Sequence, residues 1–189
     1  MKKLFGIMCA FLLVGICVGC GNNSTETNNE DNNQNNNEKV ETKGNCSVTE
    51  CVSKIKIEST VEEINEIIGF EGELIDEKYD IYYWEFSEDA GIKVAYYNSP
   101  RGTITADIDR DTLANKKVDF SRYDELQPKI KEGITYDEFI TYIGNVDGVV
   151  TEKSSLSTKY TWVDSEGNYV TASFSNSSSK CTYASGWIK

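Results

Sequence analysis

Apolar positions change their period several times along the chain. From Thr60 to Ile68, Val61, Ile64, Ile67 and Ile68 recur at helical spacing, and from Thr135 to Ile143, Tyr136, Phe139, Ile140 and Ile143 do the same. Each stripe predicts a helix with one buried face. Thr60/Glu63 and Thr135/Glu138 form capping boxes at the two starts, in which the hydroxyl accepts from one free N–H while the carboxylate returns to another. Gly69 and Gly144 stand where a left-handed residue ends a helix. A shorter helix is predicted ahead of each, opening at Ser47-Val48-Thr49-Glu50 and at Ser121-Arg122-Tyr123-Asp124. The second box is weaker, because Asp fills the Glu role only in part.

Beyond each helical pair the period shortens to two. Ile81 to Phe86, Ile92 to Tyr97 and Thr103 to Ile108 are rich in β-branched and aromatic residues, as are Thr158 to Val163, Tyr169 to Phe174 and Lys180 to Ala184. A shorter strand is predicted before each set, near Gly72 to Asp76 and Gly148 to Glu152. The predicted turns are Asp89-Ala90-Gly91, Asn98 to Gly102, and Asp164 to Asn168.

The two stretches also match residue by residue. Lys54-Ile55-Lys56 recurs as Lys129-Ile130-Lys131, Thr60 to Glu63 as Thr135 to Glu138, Ile68-Gly69 as Ile143-Gly144, Trp84 as Trp162 and Gly91 as Gly167. A repeat at one spacing reads as duplication of a supersecondary unit. The expected fold is therefore α+β: two tandem modules, each a helical pair followed by an antiparallel sheet of about four strands, with the helices on one face. The predicted division is 1–19 leader, 20–45 tether, 46–110 first repeat, 111–120 linker and 121–189 second repeat.

Alternation along the strands predicts the faces. Val170, Ala172 and Phe174 form an apolar set, which turns Tyr169, Thr171 and Ser173 outward; by alignment Lys93, Ala95 and Tyr97 also point outward. With Trp84 and Trp162 in the core beside Tyr82 and Tyr160, the residues Tyr83, Glu85, Thr161 and Val163 face the open side. The candidate partner-binding face is thus Tyr83, Glu85, Lys93, Tyr97, Tyr169 and Thr171. Exposed tyrosine offers large area, a polar tip and few rotors to freeze; high strand propensity alone also accounts for these tyrosines. A slip of one residue would exchange the two faces.

The first residues give the expected location. Met1-Lys2-Lys3, an apolar run from Leu4 to Val18 and then Gly19-Cys20 have the layout of a signal peptide. The run is short for a membrane span, which needs about 20 residues. Gly19-Cys20 resembles the lipobox of bacterial lipoproteins, with Cys17 where that family favours Leu. The resemblance implies diacylation of Cys20 and anchoring to the outer face of the membrane; ordinary secretion with cleavage nearby is the alternative. Residues 21–44, including Asn32-Asn33-Gln34-Asn35-Asn36-Asn37, hold too few apolar side chains to offset the entropy of folding, and read as a solvated tether.

Charge narrows the partners. The chain has 19 basic and 31 acidic residues; without Lys2 and Lys3 the net charge is −14. That balance argues against nucleic acid and against adsorption to anionic lipid, leaving the lipid anchor as the predicted membrane contact and an unidentified protein as the predicted partner. There is no histidine, which removes Ser-His-Asp and Cys-His nucleophile systems. No cofactor is expected. After the leader and Cys20, Cys46, Cys51 and Cys181 remain. Cys46 and Cys51 fall at the N′ and N4 positions of the first capping box, which meet in a hydrophobic staple. A Cys46–Cys51 disulfide is the first choice, with Cys51–Cys181 the alternative.

The order of elements, with T-x-x-E, an Ile-Gly helix end and a tryptophan strand, resembles the β-lactamase inhibitor protein-like fold over Cys46 to Lys189. The resemblance implies two modules whose sheets lie side by side in an extended concave face, which in the inhibitors grips a partner enzyme. No inhibitory residue is carried over, because none of those contacts has a motif here. Three functions are weighed: a non-catalytic surface lipoprotein that binds a protein, an inhibitor of a secreted enzyme such as a β-lactamase being its sharper form; a structural or assembly lipoprotein of the envelope; and a carboxylate-based hydrolase. Pairs such as Glu62/Glu63 and Glu88/Asp89 lie on predicted helix or turn surfaces, where solvated charge is the usual explanation, so the protein is not expected to be an enzyme.

Overall fold

The capping signals set the helices. The computed structural model describes residues 43–97 and 102–189. The expected leader, lipidated Cys20, nearly all of the tether and the turn residues 98–101 lie outside them. Helix α1 (Val48–Lys54) opens with the full Ser47/Glu50 box, α2 (Val61–Ile68) with Thr60/Glu63, and α4 (Tyr136–Ile140) with Thr135/Glu138. Helix α3 (Tyr123–Glu132) departs from expectation. Its N-cap is Arg122 with no side-chain hydrogen bond, and Arg122 instead forms an ion pair with Glu125. Helix α4 stops at Ile140, before Gly144, where the Thr141 hydroxyl donates to Glu138 O at 2.7 Å. Such side-chain bonds offer the backbone an alternative to the helix, and tighter turns carry Ile143 into the core. Cys46 and Cys51 are joined by a disulfide with Cα atoms 5.7 Å apart, beside the start of α1, while Cys181 is a buried thiol whose pKa burial raises.

The strands are β1 (Glu73–Asp76), β2 (Ile81–Ser87), β3 (Ala90–Ala95), β4 (Thr103–Asp107), β5 (Val149–Ser154), β6 (Ser157–Val163), β7 (Tyr169–Ser175) and β8 (Cys181–Trp187). They form one antiparallel sheet in sequence order. This corrects the expectation of two modules with separate sheets. The last strand of the first half pairs with the first strand of the second, through Thr103↔Ser154, Ile104↔Lys153 and Thr105↔Glu152. Alternation within a strand shows which face is apolar but not which edge it meets, so the join could not be read from the pattern.

Two clusters of buried side chains lie between sheet and helices. Trp84, Ile92, Val94 and Ile104 meet Val52, Ile55, Ile64 and Ile68 in the first; Trp162, Val170, Ala172 and Phe174 meet Leu126, Ile134, Phe139 and Ile143 in the second. Each such side chain contributes roughly 1.5–3 kcal/mol by leaving water. The halves are interleaved. Helix α1 packs on β3, β4 and β5, and Val150 of β5 rests against the first cluster. The Lys153 ammonium reaches the C-terminal end of α1, donating to Val52 O (3.3 Å), Ser53 O (3.1 Å) and Ile55 O (2.6 Å). Residues 111–120, expected as a linker, are also packed: Val118 and Phe120 are buried in the second cluster, and Ala114 bridges to Val163.

Gly72 and Gly148 serve the two tryptophans in the same way. A Cβ on Gly72 would lie 2.3 Å from the Trp84 indole, and one on Gly148 2.6 Å from that of Trp162. Gly148→Ala must displace a ring that is held by Trp162 Nε1 donating to Val146 O at 2.9 Å. The expected loss is about 2 kcal/mol, within the usual range for overpacking, read as a lower urea midpoint at unchanged slope. Gly91 and Gly167, paired by sequence, are not equivalent. Gly91 lies within β3, whereas Gly167 sits in the β6–β7 turn at φ 79.

Candidate functional site

The helices cover one face of the sheet, and the other is polar. The register draws one line across it: Glu73, Tyr83, Lys93, Thr105, Glu152, Lys159, Ser173 and Tyr183, one residue per strand from β1 to β8. At its centre Lys159 donates to Glu152 in an ion pair with both side chains about two-thirds buried. Beside it a ladder of hydroxyls runs from Thr151 to Thr161 (3.1 Å) and from Thr161 to Thr171 (3.2 Å). Cross-strand Thr pairs and opposite charges each stabilise such a sheet by roughly 0.2–1 kcal/mol.

Five of the six expected face residues lie on this side, in two groups. Tyr83, Glu85 and Lys93 sit on β2 and β3, and Tyr169 and Thr171 on β7. Four strand spacings separate β3 from β7, about 19 Å. Glu85 and Lys93 are exposed. Tyr83 does not project. Its ring lies across Gly91, where a Cβ would meet the phenol oxygen at 2.2 Å, and its hydroxyl reaches Asp107 Oδ2 at 3.4 Å. Burial, then the Asp107 charge, raises its pKa, so the phenol is a neutral donor at neutral pH. Thr171 is half-buried within the hydroxyl ladder.

Tyr97 corrects the expectation. Strand β3 ends at Ala95, and Tyr97 stands beyond it at φ 47 with its ring against Tyr79 (6.5 Å between centroids), so it is not held in the sheet register. A positive φ removes it from the alternation that assigned it. Tyr169 is on the expected side but not free, since the Arg110 guanidinium lies 4.0 Å from its ring centroid. Thr161 and Val163, also expected on the open side, are buried there.

Sequence reasoning missed Glu152, Lys159, Tyr183, Trp187 and Arg110. Glu152, Lys159 and Tyr183 fall within predicted strands, whereas Trp187 lies beyond the predicted last strand and Arg110 on no strand. Their importance comes from register across separate strands and from a 3-10 turn at Arg110–Leu113 that packs on β6 and lays Arg110 over Tyr169 of β7.

Among the described residues no helix is long and apolar enough to cross a membrane, and no group of three or more His, Cys, Asp or Glu is placed to hold a metal ion. No protein-family model matches the chain, and comparison with curated proteins gives no match.

Proposed function

We propose that this chain is a non-catalytic extracytoplasmic lipoprotein, anchored through Cys20, that holds another protein on the open face of its sheet. The observation that carries this is the single eight-stranded sheet whose polar side no helix among the described residues covers, bearing Tyr83, Lys93, Lys159 and Tyr183 in one register line. Such a face is rigid, and its side chains are spaced by the strands rather than by mobile loops. The reading as a binder rather than a catalyst is supported by the absence of histidine from the sequence and by the state of two central carboxylates. Glu152 is spent on Lys159, and Asp107 accepts from Tyr83. A helix-then-sheet order that repeats along the chain also fits the resemblance to β-lactamase inhibitor-like proteins. Fold likeness by itself assigns no target.

The test is photo-crosslinking in native envelope material with a photoreactive residue at Thr105, in the middle of the open face, and a control at Lys56 beyond α1 on the helix side. The expected result is one discrete protein adduct from position 105 and none from 56. No adduct at 105, or the same adducts from both positions, ends the proposal. Inhibition of a secreted β-lactamase is the sharper form; unchanged hydrolysis at micromolar protein would remove that form alone.

A further inference from the structure

At one end of the open face, away from Tyr83 and Lys93, the chain builds a second feature. Trp187 at the end of β8 is directly opposite Tyr169 of β7, which is directly opposite Val163 of β6. The 3-10 turn closes one side of this row, and the result is an open depression of about 450 Å³ lined by Asp109, Arg110, Asp111, Val163, Tyr169 and Trp187. That volume is within the range, about 300–1,000 Å³, in which proteins hold small ligands.

The lining states what would fit. Trp187 is 49% exposed, whereas Trp84 and Trp162 are buried at 0% and 2%. An indole left half in water beside polar groups offers an apolar platform. Arg110 is stacked on Tyr169, and among the described residues no carboxylate lies within ion-pair distance of it, although Asp109 and Asp111 flank it in sequence. Among the described residues its planar fork also donates no hydrogen bond, so its N–H groups face the depression. Asp109 uses one oxygen, Oδ1, to accept from Asp111 N at 3.1 Å, and the Asp111 carboxylate accepts no hydrogen bond among the described residues. Acceptors and donors thus stand side by side around an aromatic face.

Charge eliminates most ligand classes. An anion would meet Asp109 and Asp111 in a chain of net charge −12. A cation would meet Arg110, and the Lys189 ammonium, which lies 4.9 Å from the Trp187 ring centroid. A wholly apolar ligand would strip water from both signs of charge without replacing its hydrogen bonds. A neutral molecule with one C–H face and many hydroxyls avoids all three penalties. Vicinal hydroxyls donate to carboxylates and accept from a guanidinium at once, and the C–H face packs on indole.

We infer that the Arg110–Tyr169–Trp187 depression is a binding site for a neutral saccharide, of mono- to disaccharide size. It shares Tyr169 with the candidate partner face, but it uses none of Tyr83, Lys93, Lys159 or Tyr183, the residues on which the protein-binding reading rests, so the two can fail separately. The expected dissociation constant is on the order of 1 mM, which sets the concentration range of the test.

The structure also supplies the probe. Trp187 is the only exposed tryptophan of three, so the red edge of the emission spectrum reports on it. The protein is titrated with maltose, cellobiose and N,N′-diacetylchitobiose to tens of millimolar, with sodium chloride and glycerol as controls. At least one disaccharide is expected to give a saturable blue shift that is absent in Asp111→Asn and Arg110→Ala, both of which retain Trp187. Calorimetry or ligand-observed NMR on Trp187→Ala, a change at an exposed strand end, should show loss of the same binding by at least tenfold. No saturable shift with any of the three sugars, a shift that survives Asp111→Asn and Arg110→Ala, undiminished binding to Trp187→Ala by calorimetry or NMR, or a shift matched by glycerol overturns the assignment.

Discussion

Replacing Trp162 by Ala is expected to cost about 3–5 kcal/mol, the usual range for deleting a large buried aromatic side chain. The indole is 2% exposed, stacks on Phe139 (5.2 Å between centroids, 26°), and lies beside Tyr136 and Tyr160 at 6.2 and 6.0 Å. Its removal leaves a cavity that Gly148 cannot fill and orphans the bond to Val146 O. Against a typical total of 5–15 kcal/mol, a loss of that size brings the chain near its folding threshold. The informative part is where the loss appears. Because β4 pairs with β5, and α1 packs on β5, unfolding of the second half exposes part of the first cluster. The expected urea curve for Trp162→Ala in a Trp187→Phe background, where Trp84 is the one remaining tryptophan, is one transition, with Trp84 fluorescence and far-ultraviolet circular dichroism shifted together. If Trp84 keeps its original midpoint while the circular dichroism curve splits, the halves fold independently and the continuous sheet is not a cooperative unit.

Lys153→Ala is the second large effect, expected near 3 kcal/mol, the upper end of what hydrogen bonds to charged groups contribute. The last carbonyls of a helix have no partner within it and carry its negative partial charge. In α1 those carbonyls meet an ammonium from a strand about a hundred residues later in the chain. Burial holds the Lys153 pKa below the usual range, with Glu58 opposing, so the cation is partly desolvated and the carbonyls offset that cost. Lys153→Met keeps most of the stem and should lose less, about 2 kcal/mol, the difference reporting packing and the remainder the charge. Urea melts of both variants check this. Equal stability of Lys153→Ala and the parent would show that water satisfies the α1 terminus unaided. The sign with pH follows from the lowered value. The unfolded chain holds this proton more tightly, so the desolvation cost applies in full below the folded-state pKa. It is relieved, not increased, as pH rises through that value towards the unfolded one.

The candidate face divides between what local pattern showed and what it hid. Val170, Ala172 and Phe174 are buried and alternate with Tyr169, Thr171 and Ser173, so the phase of β7 could be read from seven residues. Tyr97 was misplaced because alternation presumes that the strand continues, and a residue at φ 47 ends it. Tyr169 was placed on the correct side, but its cover, Arg110, comes from a turn about sixty residues earlier that no strand periodicity encodes. Gly91 and Gly167 matched by letter, yet only Gly91 lies under a ring, that of Tyr83.

What the sequence alone determined are the features set within about ten residues: three helix starts capped by Ser47, Thr60 and Thr135, the inward phase of Trp84 and Trp162, and the α+β class itself. These depend on side chains reaching their own backbone or alternating across one strand, and such distances are fixed by covalent geometry. The tertiary structure alone decided that eight strands form one sheet, that Lys153 closes α1, and that Glu152 and Lys159 meet at the centre of the open face. Those depend on which edges pair and in what register, and edge pairing is governed by backbone hydrogen bonds that are nearly the same for every residue type.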